Sequence, residues 1–315
     1  MVRYFLRRIA FMMPVLLGVT IVVFLIMNLA PGDPAMIMLG HDATPEAVAQ
    51  LRAELGLDQA LPLRYAYWLG NVLHGDFGRS IWLGQPVLDE VLNRFQATAL
   101  LAVVALFMST IMGIFLGVIS SVREHSILDR LSMLLALFGV SMPVFWLGIM
   151  LILCFSLSLR WLPPAGMVSP SGGDLPDLAR HLVLPSITLA APATAIVARL
   201  TRASMLEVIR QDYIRTAAAK GLGESAVILR HGLKNALIPV VTVIGVQVGN
   251  LLGGAVITET VFAWPGLGSL IVKGVLTRDF LLVQGGVLFI ALVFSSVNLF
   301  VDMMLGYLDP RIRYS

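Results

Sequence analysis

The residue types that most often do chemistry in proteins are few in this chain and widely spaced. Cys154 is the only cysteine, and the histidines occur singly, without an H-E-x-x-H string or other paired spacing: His41, His74, His125, His181 and His231. Zinc sites need such paired ligands, and no G-x-S-x-G nucleophile turn occurs either. We therefore predict no catalytic residues, no metal and no cofactor, and we interpret Cys154 as structural filler.

Nucleotide chemistry is not expected in the chain either. No segment matches G-x-x-x-x-G-K-[ST], the loop whose backbone N–H groups hold phosphates. Any ATP-driven step must therefore depend on a partner that binds the nucleotide.

Two acidic residues lie beside long apolar segments, where an unpaired carboxylate is costly. Glu259 stands between two threonines before the string AWPGLG, so it either caps a turn or binds an amino group such as that of a peptide. Asn298 and Asp302 lie four residues apart on the last predicted helix. We predict a structural polar pair there, with Asp302 bound to Arg199 or Arg202.

Glycines recur every four residues at Gly245, Gly249 and Gly253, with Gly254 beside the last one. This spacing places them on one helical face, where bare backbone lets a second helix approach closely. We interpret the strip as helix packing, or as a face toward a translocation path or a second subunit.

The elements that carry these residues are predicted to be membrane helices. Hydrophobic residues make up 58% of the 315 residues and charged ones 13%, outside the usual range of soluble domains. About 20 helical residues cross a hydrocarbon core of about 30 Å. Six runs lack Asp, Glu, Lys and Arg, and all but the fourth reach that length: 9–30, 98–120, 133–157, 182–198, 237–258 and 280–301. The fourth holds Pro185 and Pro192 and is interpreted as a kinked span.

The first run follows Arg3, Arg7 and Arg8, as a signal peptide would. Its apolar stretch is too long for one and lacks a small-x-small cleavage site, so residues 1–30 are predicted to form a signal anchor. With the N-terminus in the cytoplasm, 14 of the 22 Lys and Arg residues lie in 71 inner residues, and 8 lie in 112 outer ones. The positive-inside rule supports this orientation, with both termini cytoplasmic.

The segment 31–97 is predicted to be a folded periplasmic cap with helices over 45–55 and 62–73. Its eight acidic residues exceed its four arginines. A soluble partner docks there, or the charges only keep a solvated face out of the bilayer. The remaining residues, 98–315, form a core of five helices.

The longest inner loop, 199–236, reads as helix, turn, helix. Three alanines at 217–219 favour a helix, Lys220 suits its C-terminus, Gly221 suits a left-handed residue that ends it, and Gly223 precedes the next helix. Ile228, Leu229 and Leu233 are predicted to share one apolar face of that second helix.

This loop carries a family resemblance. DYIRTAAAKG at 212–221 and HGLKNALIPVVT at 231–242 resemble the signature loop of binding-protein-dependent ABC permeases of the dipeptide and oligopeptide branch. The general pattern has Glu-Ala-Ala, three residues, Gly, nine residues and Ile-x-Leu-Pro. Here Gly221 and Pro239 match the Gly and the Pro, while Arg215-Thr216-Ala217 replaces Glu-Ala-Ala and the Gly-to-Pro interval is five residues longer. Both departures resemble the peptide branch.

Further strings resemble the same branch along the whole chain. They are APGDP at 30–34, ELGLDQ at 54–59, HGDFG at 74–78, FQAT at 95–98, SMPVFW at 141–146, RASMLEV at 202–208, ETVFAWPGLG at 259–268, NLFVD at 298–302 and DPRIR at 309–313. Their order over the full length strengthens the resemblance.

The resemblance implies an all-α permease with six transmembrane helices in the bacterial inner membrane. Its loop would couple to two ATPase subunits, which bind ATP and Mg, while a second, different permease subunit and a periplasmic binding protein complete the importer. Residues 237–254 would carry the motion to the pore. The implied coupling residues are Asp212, Arg215, Thr216, Ala217, Ala218, Lys220, Gly221, Leu222 and Gly223.

Peptide is the first choice of substrate, because related permeases carry dipeptides, longer peptides, glutathione or nickel complexes. The competing class is a stand-alone secondary transporter or channel, which would normally show two similar halves and need no docking loop. We find no such repeat in the sequence. A membrane enzyme, the third class, would need convergent catalytic residues.

Overall fold

The structure is a computed structural model that describes residues 2–29, 34–39, 43–54, 56–170 and 172–308. These residues form helices and connecting turns, without a named strand. The helices are α1 (Val2–Leu29), α2 (Pro34–Leu39), α3 (Pro45–Glu54), α4 (Leu61–Leu73), α5 (Val87–Val122), α6 (Ile127–Ser141), α7 (Val144–Leu151), α8 (Leu175–Ile209), α9 (Asp212–Ala219), α10 (Glu224–Ala226), α11 (Lys234–Val261), α12 (Leu267–Leu276) and α13 (Phe280–Leu308). Two π-helices, Ile152–Ser158 and Val227–Leu233, follow α7 and α10.

Five helical segments of the described chain are long and apolar enough to cross a membrane. They are Arg7–Leu29, Val87–Val122, Leu175–Ile209, Glu224–Val261 and Phe280–Met304. A sixth span exists if Ile127–Ser141 and Val144–Ser158, which are bent by 111° at their break, are counted as one. The six predicted spans therefore correspond to five continuous helical segments and this bent pair.

The bend in the third predicted span has a local cause at Pro143. Proline lacks the N–H that continues a helix and disfavours the helical conformation of the residue before it. Met142, the residue before it, is extended, with ψ of 136°. The apolar run 133–157 is thus two helices, because one proline interrupts it.

Two compact units divide the chain, one containing residues 1–97 and 265–303 and the other residues 98–264. In the first unit, the predicted helices over 45–55 and 62–73 are confirmed as α3 and α4. The Tyr65 hydroxyl of α4 lies 2.8 Å from the Thr20 hydroxyl of α1, and its ring meets Phe24 edge-on. His41, residues 30–33 of APGDP and the DPRIR string lie outside the described residues.

A buried carboxylate ties the loop after α4 to the start of α13 in this first unit. Asp279 is fully buried and accepts hydrogen bonds from the Ser80 hydroxyl, from the Trp82 N–H at 3.1 Å and from the Leu282 N–H at 3.2 Å. The surrounding core is apolar and consists of Phe24, Trp68, Phe77, Val87, Val91, Leu267, Leu270, Leu282 and Leu288.

The second unit is packed around α8. This helix has 35 residues, continues through Pro185 and Pro192, and has 67% of its most apolar window buried. At 1.5 Å per residue it is about 50 Å long, longer than the hydrocarbon core of about 30 Å. The predicted fourth span, 182–198, is therefore only the middle of a longer helix.

Close helix packing in the second unit occurs at Gly113 and Gly117 of α5. A Cβ added to these glycines would lie 2.6 Å from the Val197 Cβ and 2.5 Å from the Thr201 Cβ of α8. Real Cβ contacts are not this short, so the helices approach through bare backbone. Gly139 of α6 is equally close, with its added Cβ 2.7 Å from the carbonyl oxygen of Ala191.

The segment after α10 is a π-helix, not the α-helix that the sequence predicts. Val227 and Gly232, five residues apart, are its buried residues, as i→i+5 winding requires. Of the residues predicted to share an apolar face, Ile228 and Leu233 are half-buried and Leu229 is 58% exposed.

Candidate functional site

The segment 212–233, called the hairpin below, joins α8 to α11. Its first helix, α9, is two turns long, and its second part is α10 with the following π-helix. The predicted coupling residues except Ala217 are exposed on this segment: Asp212, Arg215, Thr216, Ala218, Lys220, Gly221, Leu222 and Gly223. The structure therefore brings them together on one continuous stretch of surface.

A small apolar core holds the hairpin in shape. Ile214 and Ala217 of α9 are buried against Val227 of the π-helix, with Val208 of α8 packed beside them. Ala217 is only 8% exposed, so its side chain packs inside the hairpin and is not part of the outer surface. The i, i+3 spacing of Ile214 and Ala217 places both on the inner face of α9.

The turn of the hairpin depends on one backbone conformation. The helix α9 ends at Ala219, with Lys220 as its C-cap, and Gly221 has φ of +81°. Side chains are strained there whatever the space, although a Cβ on Gly221 would meet nothing within 4 Å. Gly223 has φ of −60° and precedes α10. The predicted helix end, glycine turn and second start are confirmed at these residues.

Polar contacts tie the base of the hairpin to its neighbours. The Asn235 side chain of α11 donates to the Tyr213 hydroxyl at 2.9 Å. Arg210, directly before the hairpin, pairs with Glu124 at 3.3 Å. Both contacts are exposed, so each contributes little to stability by itself.

A buried ion pair lies near the same end of α8. Arg202 donates from Nε and Nη2 to the two oxygens of Asp129, each at 2.9 Å. The Ser120 hydroxyl and the His125 N–H also donate to Asp129, which is 5% exposed. This network joins the ends of α5 and α6 to α8, directly before the hairpin.

The partner that the sequence predicted for Asp302 is wrong. Asp302 pairs with Arg8 of α1 at 2.6 Å, and Arg202 binds Asp129 as described. In both pairs, Arg8–Asp302 and Arg202–Asp129, the two residues are far apart in sequence. The spacing of residues along one helix therefore could not predict either pair. Asn298 lies one turn from Asp302 on α13 and is half-buried.

The glycine strip of α11 is not a uniform packing surface. Gly249 is buried and Gly245 is half-buried, whereas Gly253 is exposed and its added Cβ would meet nothing within 4 Å. A Cβ added to Gly254 would be in ordinary contact with Leu189 of α8, at 3.4 Å. The sequence interpretation missed the packing glycines Gly113 and Gly117. Their G-x-x-x-G spacing is a known signal of close packing between membrane helices.

One face of α11 is exposed along most of the helix. Its members recur every three or four residues, namely Thr242, Val246, Asn250, Gly253, Ile257 and Thr260. Three of the six are polar, which is unusual for a surface that meets lipid. We call this set the open face of α11.

Glu259 lies next to this face but is not on it. Its side chain is fully buried, and the Thr98 hydroxyl donates to its Oε1 at 2.6 Å. In this conformation the carboxylate binds protein groups. Within the described residues, no group of three or more His, Cys, Asp or Glu could hold a metal ion.

Comparison with known families settles the class of the chain. The model described as "Binding-protein-dependent transport system inner membrane component" matches residues 109–314, which include the hairpin and α11. The corresponding N-terminal model matches residues 1–102. The chain belongs to this family. It is therefore a multi-pass inner-membrane component of a binding-protein-dependent transport system, an ABC importer.

Full-length relatives of this transport component have similar sequences. The dipeptide transport system permease protein DppB of Alkalihalophilus pseudofirmus is 43% identical over all of both chains. DppB of Escherichia coli strain K12 is 43% identical over all of this chain and 99% of its own. The glutathione transport system permease protein GsiC of Pectobacterium atrosepticum is 44% identical over all of both chains.

Solved structures support the fold of the transport component. An inward-facing structure of the MetNI methionine ABC transporter matches with a TM-score of 0.57 and 17% identity, covering 70% of this chain and 97% of the other. An amino acid ABC transporter matches with a TM-score of 0.51 and 14% identity, over 71% and 95% of the two chains. At these identities the likeness establishes the fold alone.

Proposed function

We propose that this membrane component is the permease that carries di- and oligopeptides through an ATP-driven importer, and that the hairpin receives the motion of the ATPase. ATP and Mg would bind to two partner ATPase subunits. A second, homologous permease and a periplasmic binding protein would complete the assembly. The functional division that we propose is the anchor 1–30, the cap 31–97 and the core 98–315.

The observation that carries this proposal is the construction of the hairpin. The hairpin has an exposed surface of polar and apolar side chains, held in shape by a small buried core. It connects two long membrane helices, α8 and α11. Tyr213 and Leu222 are each 43% exposed beside Arg215 and Lys220. Tyrosine and arginine are among the residue types that are enriched at protein–protein interfaces.

The orientation follows from charge. The hairpin and its flanks are rich in Arg and Lys, which favours the cytoplasmic side, where an ATPase would meet them. Both termini would then be cytoplasmic, and 31–97 would face the periplasm. The acidic excess of that segment suits a basic surface on the binding protein.

The choice of peptide as substrate rests on the relatives. The full-length relatives at 42–44% identity are dipeptide and glutathione permeases, and glutathione is itself a short peptide. A substrate with backbone amides and charged ends is therefore the first class to test. Nickel complexes are the alternative that the resemblance leaves open.

The open face of α11 is the proposed translocation surface. It combines an unfilled glycine, Gly253, with the polar side chains of Thr242, Asn250 and Thr260, and it continues from the hairpin. A peptide needs such hydrogen-bonding groups inside the membrane, because unpaired amides in hydrocarbon are costly. Gly245 and Gly249, which are less exposed, would serve helix packing.

The test is reconstitution of the complete importer in proteoliposomes, with labelled dipeptide and binding protein outside and ATP inside. We expect uptake that requires ATP, the binding protein and this permease together. Uptake of nickel chelates and of glutathione is measured in separate assays, and the uptake rates show which substrate class is preferred. Peptide uptake that continues when ATP hydrolysis is blocked would instead indicate a secondary transporter and would overturn the proposal.

A further inference from the structure

A cavity of about 340 Å³ lies in the first unit. It is bounded by α4, the turn that follows α4, the start of α13 and Phe24 of α1. Small-molecule sites typically have volumes of about 300–1,000 Å³, so the cavity has room for a small ligand.

Polar groups in the cavity wall have unused hydrogen-bonding capacity. Gln284 is 3% exposed, and its amide makes no hydrogen bond to any described residue. The indole N–H of Trp68, a residue 8% exposed, also has no partner in the described part of the chain. The indole N–H is covered by protein atoms, whereas the Gln284 amide is available for hydrogen bonds to a ligand in the cavity.

The cavity wall carries one charge of each sign. Arg64 is half-buried and forms no ion pair with a described residue. Burial lowers the pKa of its guanidinium, the nearby charge of Arg52 lowers it further and that of Asp58 raises it, and an arginine stays protonated at neutral pH. Asp76 accepts the Gly78 N–H at 2.8 Å and has a second carboxylate oxygen for another donor.

The rest of the wall is largely apolar and aromatic, with the side chains of Asn28, Gln59 and Asn71 as further polar groups. Phe24, Tyr67, Phe77 and Leu281 line it beside Trp68. A ligand that matches this wall has an apolar body, a carboxylate that binds Arg64 and an ammonium group that binds Asp76.

We propose that the cavity is a binding site for a short zwitterionic peptide with apolar side chains. The carboxylate of the peptide binds Arg64, its ammonium group binds Asp76, and its backbone amide meets Gln284. The site is formed by the predicted periplasmic cap together with α1 and the start of α13. The peptide, as opposed to another zwitterion, rests on the proposed function.

The experiment measures binding of labelled leucyl-phenylalanine to the full-length chain in lipid nanodiscs by equilibrium dialysis. Three further ligands are the N-acetylated dipeptide, the C-terminally amidated dipeptide and free leucine. The variants are Arg64→Gln, Asp76→Asn and Gln284→Leu, with Arg79→Gln as control, because Arg79 is an exposed arginine of the same unit that does not line the cavity.

We expect the free dipeptide to bind about ten- to a hundredfold more tightly than either blocked form, as loss of one charge-assisted hydrogen bond implies. Arg64→Gln should remove the preference for the free acid, and Asp76→Asn the preference for the free amine. Arg79→Gln should change neither. These chemical comparisons also hold on the unmodified chain, so they do not depend on the folding of any variant.

Equal binding of free and blocked dipeptides, or no binding, overturns the site. Tighter binding of leucine than of the dipeptide overturns its assignment to peptides. Uptake by the complete importer is measured in parallel, so that the two proposals are tested separately. Normal peptide uptake without binding in the cavity would refute the cavity site and leave the proposed function standing. Binding in the cavity without any peptide uptake would refute the proposed function and leave the cavity site standing.

Discussion

Arg202 binds Asp129 across 73 residues of sequence through two parallel hydrogen bonds of 2.9 Å. Side-chain exposure is 26% for Arg202 and 7% for Asp129, so the pair is largely withdrawn from solvent. Removal of one partner of a buried pair leaves the other charge uncompensated, which costs about 3–5 kcal/mol.

We therefore expect Asp129→Asn to lower the thermal stability of the purified permease strongly. The measurement is thermal unfolding in detergent, followed by size-exclusion chromatography. The control is Glu124→Gln, which breaks the exposed pair with Arg210 and should cost about 1 kcal/mol or less. Equal effects of the two variants would contradict the assignment of a stabilising role to the buried pair.

The turn at Gly221 gives the second prediction. Gly221→Val should strain the left-handed conformation by about 1–2 kcal/mol and misplace the hairpin surface, so ATP-driven uptake falls while the protein stays inserted. Gly221→Asn should retain uptake, because asparagine tolerates this conformation.

The matched comparison is Gly223→Ala on the same coupling surface: Gly223 has an ordinary negative φ and nothing within 4 Å of its added Cβ, so this variant alters the surface without straining the turn. Uptake and ATPase activity are measured together at equal protein levels. Normal uptake in Gly221→Val would show that the turn conformation does not matter for coupling.

Glycines on two helices give the third prediction. Gly117→Ala should destabilise the permease, because the new methyl group would lie 2.5 Å from the Thr201 Cβ and 2.7 Å from the carbonyl oxygen of Ala198. Overpacking of this kind typically costs about 1–3 kcal/mol. Gly253→Ala should fold normally, because its new methyl group meets no atom within 4 Å.

Thermal unfolding separates these two variants, and uptake then tests the open face. Gly253→Leu should leave stability unchanged but slow peptide uptake if the face lines the path. A variant that is stable and transports at the normal rate would count against the translocation surface.

The pair of Arg8 and Asp302 gives the fourth prediction. Asp302→Arg should weaken insertion or stability by about 1 kcal/mol, since the pair is partly exposed. Addition of Arg8→Asp should restore part of the loss, whereas addition of Arg202→Asp should worsen it. Recovery with Arg202→Asp in place of Arg8→Asp would contradict the pairing.

Local features of this permease were predictable because their causes are local. The alanine run, Lys220 and Gly221 each favour the same helix end, and the structure ends α9 there. The two cap helices α3 and α4 each have a proline in the first turn, and both prolines are visible in the sequence. Apolar runs located the spans, because lipid as a solvent demands long uninterrupted helices.

Features that depend on distant residues were not predictable. The charge on Asp129 was visible, but its partner is 73 residues away and shares no periodicity with it. Pro143 was visible as well, yet a proline inside an apolar run can mean a complete break, as here, or leave the helix continuous, as Pro185 and Pro192 do in α8. The π-helix after α10 has no clear sequence signature, so the sequence predicted an ordinary α-helix there.

The length of α8 has a mechanical consequence. A helix about 50 Å long that tilts by about 5° moves one end by about 4 Å when the other end is fixed. If the hairpin receives the motion of the ATPase as proposed, the Asp129–Arg202 pair, near the hairpin end of α8, would transmit that motion to α5 and α6. A small tilt of α8 within the membrane would therefore displace the hairpin by about the length of a side chain.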